Sequence, residues 1–302
     1  VALAFRQARL GAIALVTLGI CATIAARPVF AADWCRSTTC KGAGCSTDID
    51  GCPTTGKPLW WGRRCVGFSL NQTGTRNLPM DQVRVAVEKA FATWSGVQCP
   101  GGKPAGISVG ELQQTPCGRS EYDPEGKNVN VIVFRDDRWD FKGVDDNVAK
   151  TVVHFDADTG EILDADIEIN TAHNQFTVSP ANVVYDLQTV LTHEIGHFLG
   201  FAHSPLPYSV MFPSYQKGTL DGRKLAPEDI AELCTVYPPD RPGTCDLAPK
   251  GGLDLCQPVD SQTCSAGRSG RASQGWLPLA LTLGGLWSKR MRTRGRTSGG
   301  LA

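Results

Sequence analysis

His193-Glu194-Ile195-Gly196-His197-Phe198-Leu199-Gly200-Phe201-Ala202-His203 holds three of the five histidines in the chain. On a helix His193 and His197 lie one turn apart, so both imidazoles leave the same face and can reach one metal ion. Glu194, beside the first of them, is within reach of a metal-bound water. Gly200 stands where the helix must stop. Glycine tolerates the left-handed conformation that turns the chain back, which brings His203 in as a third ligand. Three neutral histidines with an open fourth position describe a catalytic zinc site rather than a structural one. The rival explanation, an amphipathic helix with exposed histidines, does not account for two further residues at the fixed offsets of HExxHxxGxxH.

The chain has 302 residues, enough for one fair-sized domain with appendages. Its formal net charge is zero, which gives no footing for nucleic acid as a partner. The charge balance hides a local bias, because Lys289, Arg290, Arg292, Arg294 and Arg296 crowd the C-terminal end. Twelve cysteines are present, and none forms the C-x-x-C pairs of a zinc ribbon. A disulfide framework in an oxidising compartment is the simpler reading. Arg6 and Arg9 precede an apolar run over 10–24, and Val29-Phe30-Ala31 supplies a small-x-small cleavage site. This reads as a secretory signal peptide over 1–31, with Cys21 inside the removed part.

Eleven cysteines remain. Cys35, Cys40, Cys45 and Cys52 fall in a Gly/Thr/Ser-rich extension over 32–57, read as a small disulfide-stapled unit. The main domain is expected over 58–238. Val66-Gly67-Phe68-Ser69-Leu70 alternates like a first strand, and 80–94 is amphipathic, with Val83, Val87, Ala90, Phe91 and Trp94 on one face. Further strands are expected over 106–112 and 129–134, then two over 151–155 and 162–170 joined by a turn at 156–160. A helix from about 185 carries the histidine motif, and a last helix covers about 226–237, with Pro227, Glu228 and Asp229 in its first turn. Pro238-Pro239 ends that helix. Residues 239–271, with Cys245, Cys256 and Cys264, read as a linker. Residues 272–288 are uncharged and mostly apolar, and with the basic cluster behind them they read as a membrane anchor.

After His203, the run Val210-Met211-Phe212-Pro213-Ser214-Tyr215 carries one of only three methionines. HExxHxxGxxH followed by a Met-containing turn resembles the metzincin zinc peptidases. Ser204 and the 210–215 run narrow this to the matrixin, or matrix-metalloproteinase-like, family. The resemblance implies an α+β metzincin fold: a twisted, mostly parallel sheet with one antiparallel edge strand and three main helices. It implies a zinc-dependent endopeptidase in which His193, His197 and His203 hold one catalytic Zn2+ and Glu194 is the general base. Met211 is then the Met-turn residue forming a hydrophobic floor under the zinc. Pro213, Ser214 and Tyr215 wall the pocket for the residue after the cleaved bond. A protein or peptide substrate binds as an added strand along the sheet edge.

Three features depart from that family. Arg64-Cys65-Val66-Gly67 only faintly echoes the cysteine latch of animal matrixins, and Cys65 is read as a disulfide partner. A second, structural zinc lacks its ligand set, since His154 and His173 are the only other histidines. Ca2+ is a candidate at Asp145, Asp146, Asp156, Asp158, Asp164 and Asp166, which charged turns explain equally well. The tail resembles the Myxo-CTERM type of bacterial sorting signal, with Cys264, the span 276–287 and the basic run 289–296 as its three parts. That resemblance leaves ten cysteines to pair. It implies a secreted protein of the bacterial cell envelope or outer surface, held to a membrane through the tail, with a sorting protease acting near Cys264. The rivals are another metzincin branch and a catalytically silent zinc-containing adhesion or binding module. An intact Glu194 speaks against the silent one.

Overall fold

Strand β1 (Cys65–Leu70) is buried along its whole length, as an inner strand of a parallel sheet covered on both faces must be. The computed structural model describes residues 34–143 and 147–256. The signal peptide, Asp145, Asp146, Cys264, the apolar span and the basic tail lie outside the described residues. Four further strands join β1: β2 (Ser108–Glu111), β3 (Val131–Phe134), β4 (Ala149–Phe155) and β5 (Ile162–Ile169). The spatial order is β2-β1-β3-β5-β4. Strands β2, β1, β3 and β5 run parallel, and β4 alone is antiparallel, at the edge. The α+β metzincin arrangement expected from sequence is therefore present, including its antiparallel edge.

The α-helices are α1 (Met80–Ser95), α2 (Leu187–Phe198) and α3 (Pro227–Val236). The apolar stripe of α1 predicted by its spacing is buried, with Phe91 stacked on Phe68 of β1 at 4.0 Å between ring centroids. Val83, Val87, Trp94, Ile132, Ile167, Leu191 and Phe198 belong to the same core, which lies between the sheet and α1 and α2. Burying each such side chain contributes about 1.5–3 kcal/mol. Among the described residues no helix is long and apolar enough to cross a membrane.

The ten cysteines of the described region form five disulfides. Cys35–Cys52 and Cys40–Cys45 close the N-terminal extension on itself, as expected for a stapled unit. Cys65–Cys245, Cys99–Cys234 and Cys117–Cys256 join segments far apart in sequence. Cys65 is thus a structural cysteine of β1.

The linker expected from 239 does not begin there. Arg241 is buried, and its guanidinium donates to the carbonyls of Gly106 and Trp61, each at 2.7 Å, and to that of Arg63. Leu247 packs where side chains at Gly67 and Gly110 would stand. Leu253 pairs with Asn128, and two of the long-range disulfides fasten this segment. Residues 239–256 therefore belong to the domain. Their attachment runs through backbone carbonyls and sulfur bridges, which leave no apolar period to read.

The face of β5 turned away from the helical core carries Asp164 and Asp166, both wholly buried. Burial raises the pKa of both. Asp164 reaches about 7, and the neighbouring Asp164 charge pushes Asp166 further up. A carboxyl whose folded pKa lies above its unfolded value stabilises fully below the unfolded value, and this contribution is lost as pH rises through the folded one. The stability lost to Asp164 therefore grows from about pH 4 to about pH 7 and stays lost above it. Melting curves should show a Tm lower at pH 8 than at pH 5. Asp164→Asn should raise the pH 8 Tm by a few degrees and flatten this dependence. An unchanged pH profile in Asp164→Asn would place the titration elsewhere.

Candidate metal centre

Helix α2 starts where Asp186, its N-cap, accepts the backbone N–H of Thr189 at 2.9 Å. Arg223 holds the same carboxylate in an ion pair. Leu187, Leu191, Ile195 and Phe198 face the core, so the helix cannot rotate without exposing them. Its end is a Schellman motif: Phe201 N–H donates to Gly196 O and Gly200 N–H to His197 O. Gly200 has φ +91°, and a Cβ there would lie 2.6 Å from Leu59 O. Only glycine meets both demands. The remaining carbonyls of this end are covered by Trp61, whose indole donates to Phe198 O at 2.8 Å, and by the Tyr237 hydroxyl, which donates to Leu199 O at 2.7 Å.

This termination brings the three histidines together. His193 Nε2 and His203 Nε2 lie 3.1 and 3.2 Å from His197 Nε2. His193 Nδ1 is 2.7 Å from Val210 O, and His197 Nδ1 is 2.9 Å from Phe201 O. A carbonyl can only accept, so in His193 and His197 Nδ1 carries the proton and Nε2 presents a lone pair. The close approach of these nitrogens is then a ligand cage, not a set of hydrogen bonds. Burial first, then the neighbouring His197 and His203, pushes His193 well below the ordinary histidine pKa, which favours the neutral ligand form. Tetrahedral zinc with Zn–N of about 2.0–2.1 Å separates its nitrogens by about 3.3 Å. The donor set therefore fits zinc. Among the described residues the other group of three potential ligands is Cys117, Asp254 and Cys256, and its two cysteines are bonded to each other.

Met211 is fully buried beneath this cage. A Cβ on Gly196, between the two helical ligands, would stand 2.1 Å from Met211 Sδ and 3.1 Å from Trp94 Cζ2. Gly196→Ala should improve helix propensity by about 1 kcal/mol yet overpack the contact at a cost of about 1–3 kcal/mol. We expect a lower Tm and weaker zinc retention, measured by melting and by competition with a chromogenic chelator. A Tm above wild type would remove the proposed contact.

The turn that carries Met211 hangs from α3. Asp229, almost fully buried, accepts the Ser209 hydroxyl at 2.5 Å, Val210 N–H at 3.0 Å and Ala226 N–H at 2.8 Å. Val210 then uses its carbonyl to orient His193. Asp229 so holds the partner of a ligand, although the sequence showed it only as a charge favourable to the helix dipole.

Glu194 is buried with both carboxylate oxygens engaged. The Tyr215 hydroxyl donates to Oε1 and the Thr151 hydroxyl to Oε2, each at 2.6 Å. Tyr215, expected as a pocket wall, also packs its ring against His193 at 5.0 Å. A cavity of about 330 Å3 beside His193 is lined by Phe212, Ser214 and Tyr215, and Pro213 stays on the exposed side of that turn. Thr151, Gly196 and Asp229 were missed from sequence. A glycine in mid-helix between two ligands was a signal for the second, and nothing local marked the other two.

Of the aspartates considered for calcium, Asp145 and Asp146 lie outside the described residues, and Asp156 and Asp166 have local roles. Asp156 accepts the N–H groups of Asp158 and Thr159 in the β4–β5 turn, and Asp166 accepts Val131 N–H at 2.8 Å. His154 stacks on Tyr122 at 5.2 Å, and the His173 N–H donates to Asn170 Oδ1 at 3.1 Å.

The sequence profile of the matrixin family matches residues 60–238. Metalloendoproteinase 5-MMP of Arabidopsis thaliana is 31% identical over 229 residues, covering 74% of this chain and 55% of its own length. Metalloendoproteinase 1-MMP of Arabidopsis thaliana is 28% identical, covering 68% of this chain and 50% of its own. Matrix metalloproteinase-16 of Rattus norvegicus is 25% identical over 60% of this chain and 28% of its own length. The chain thus spans about half or less of the length of these relatives. The profile match takes in every residue of the histidine cage, the Met211 turn and α3, and on that ground the chain belongs to the matrixin family.

Proposed function

We propose that this chain is a zinc endopeptidase that hydrolyses peptide bonds in protein substrates. The carrying observation is the convergence of three Nε2 atoms, with the Nδ1 protons of His193 and His197 committed to carbonyls, beside the Glu194 carboxylate. His193, His197 and His203 would hold the zinc, which when bound acidifies a water and polarises a carbonyl. Glu194 takes the proton from the attacking water and passes it to the leaving nitrogen. The Thr151 and Tyr215 hydroxyls fix the direction of that carboxylate. The substrate lies along β4, whose outer edge is unpaired, and the Ser214–Tyr215 cavity takes the side chain after the scissile bond.

The compartment is the cell exterior or envelope. Five disulfides in the described region support an oxidising destination. The signal peptide and the tripartite tail read from the sequence support export followed by retention at the surface.

Digesting a complex peptide mixture, with products read by mass spectrometry, tests the activity. Cleavage should stop with a chelator and return with zinc. Bound zinc without any cleavage would instead support a silent binding module.

A further inference from the structure

The N-terminal extension runs into the cleft. Cys35 O accepts Ala202 N–H at 2.7 Å, beside His203. Ser37 N–H donates to Gly200 O at 3.0 Å, and its hydroxyl to Phe201 O at 2.9 Å. Thr39 N–H donates to Lys57 O at 2.9 Å. These bonds and the two local disulfides fix residues 35–41 against the loop between the second and third ligand histidines. A cleft of about 410 Å3 results, with Ser37, Thr38 and Lys41 on one wall, β4 on the other, and the histidines at its floor.

Lys41 reaches across this cleft. Its Nζ lies 4.6 Å from the ring centroid of Phe155, the last residue of β4. Lys41 is exposed, and among the described residues no carboxylate pairs with it. The charged side chains lining the cleft are Lys41, Lys150 and Glu194. At the Phe155 end Lys41 brings a positive charge to the cleft, with no carboxylate among the residues lining that end.

Direction follows from the two cavities. Thr151 marks the position of Glu194 along β4, and the Ser214–Tyr215 cavity lies on the other side of His193 from Lys41. A peptide that places its downstream residue in that cavity lays its upstream residues along β4 from Thr151 toward Phe155, antiparallel to the strand. The side chain that meets Lys41 is then about three to five residues before the scissile bond.

We propose that the disulfide-stapled extension forms the upstream substrate wall and that Lys41 selects peptides carrying Asp or Glu there. The proposal rests on the endopeptidase reading above. It is tested with quenched fluorescent peptides that differ only in Glu, Ala or Lys at each upstream position. The readout is the ratio of kcat/KM for the Glu peptide to that for the Ala peptide, at low and high salt. Wild type should favour Glu by about two- to five-fold at low salt, with the ratio falling toward one at high salt. Lys41→Ala should bring the ratio close to one, and Lys41→Glu should invert the order so that the Lys peptide leads. An equal ratio in wild type, or an unchanged ratio in Lys41→Glu with hydrolysis intact, overturns the selection. Absence of hydrolysis of every peptide by wild type takes down the endopeptidase reading and this inference with it.

Discussion

Glu194→Ala should lower kcat/KM by on the order of a thousandfold while zinc remains bound. The histidine nitrogens do not depend on Glu194: their orientation comes from Val210 O and Phe201 O. The carboxylate is held separately, by the hydroxyls of Thr151 and Tyr215. Its loss removes the proton acceptor and leaves the cage intact, so activity and metal content should separate. The supporting hydroxyls should matter less, because either alone still holds one oxygen. Tyr215→Phe and Thr151→Val should each cost about tenfold in kcat with zinc content unchanged, since each removes a single hydrogen bond to a charged group worth about 1.5–3 kcal/mol. Near-normal turnover in Glu194→Ala would remove the carboxylate from the chemistry.

Asp229→Ala should be the most damaging substitution for the fold of the site. It strands the Ser209 hydroxyl and the N–H groups of Val210 and Ala226 in the interior. Each unsatisfied buried group costs about 1–3 kcal/mol, so a total loss of about 3 kcal/mol or more is expected in denaturant unfolding. The Met211 turn loses its anchor at the same time. His193 then loses its fixed carbonyl partner, and zinc affinity should fall by about ten- to a hundredfold. Asp229→Asn keeps one acceptor and should fall between. A variant with wild-type stability and zinc affinity would mean that the turn stands without α3.

Helix α1 and the histidine helix were visible because apolar residues at helical spacing make one buried face, and that face was found. The β4–β5 hairpin was visible because a Gly/Asp/Thr turn separates two apolar runs. Gly200 was legible because an L-residue cannot easily adopt its backbone. Thr151 was not, because its contact with Glu194 spans 43 residues and rests on one hydroxyl. Asp229 is accounted for locally by its helix dipole, and its partners Ser209 and Val210 lie about twenty residues away with no sequence pattern joining them. Residues 239–256 failed for the opposite reason: proline, glycine and scattered polar residues describe a linker unless the bonds at Arg241, Cys245 and Cys256 are known.

The central claim is that His193, His197 and His203 together hold one zinc and that hydrolysis depends on it. The direct measurement strips the purified protein of metal and titrates zinc back, following bound metal and peptide cleavage in the same samples. Cleavage should rise in step with bound zinc and level off at one equivalent, and His197→Ala should neither retain the metal nor recover activity. Full cleavage by the stripped protein, or by His197→Ala, would contradict the account.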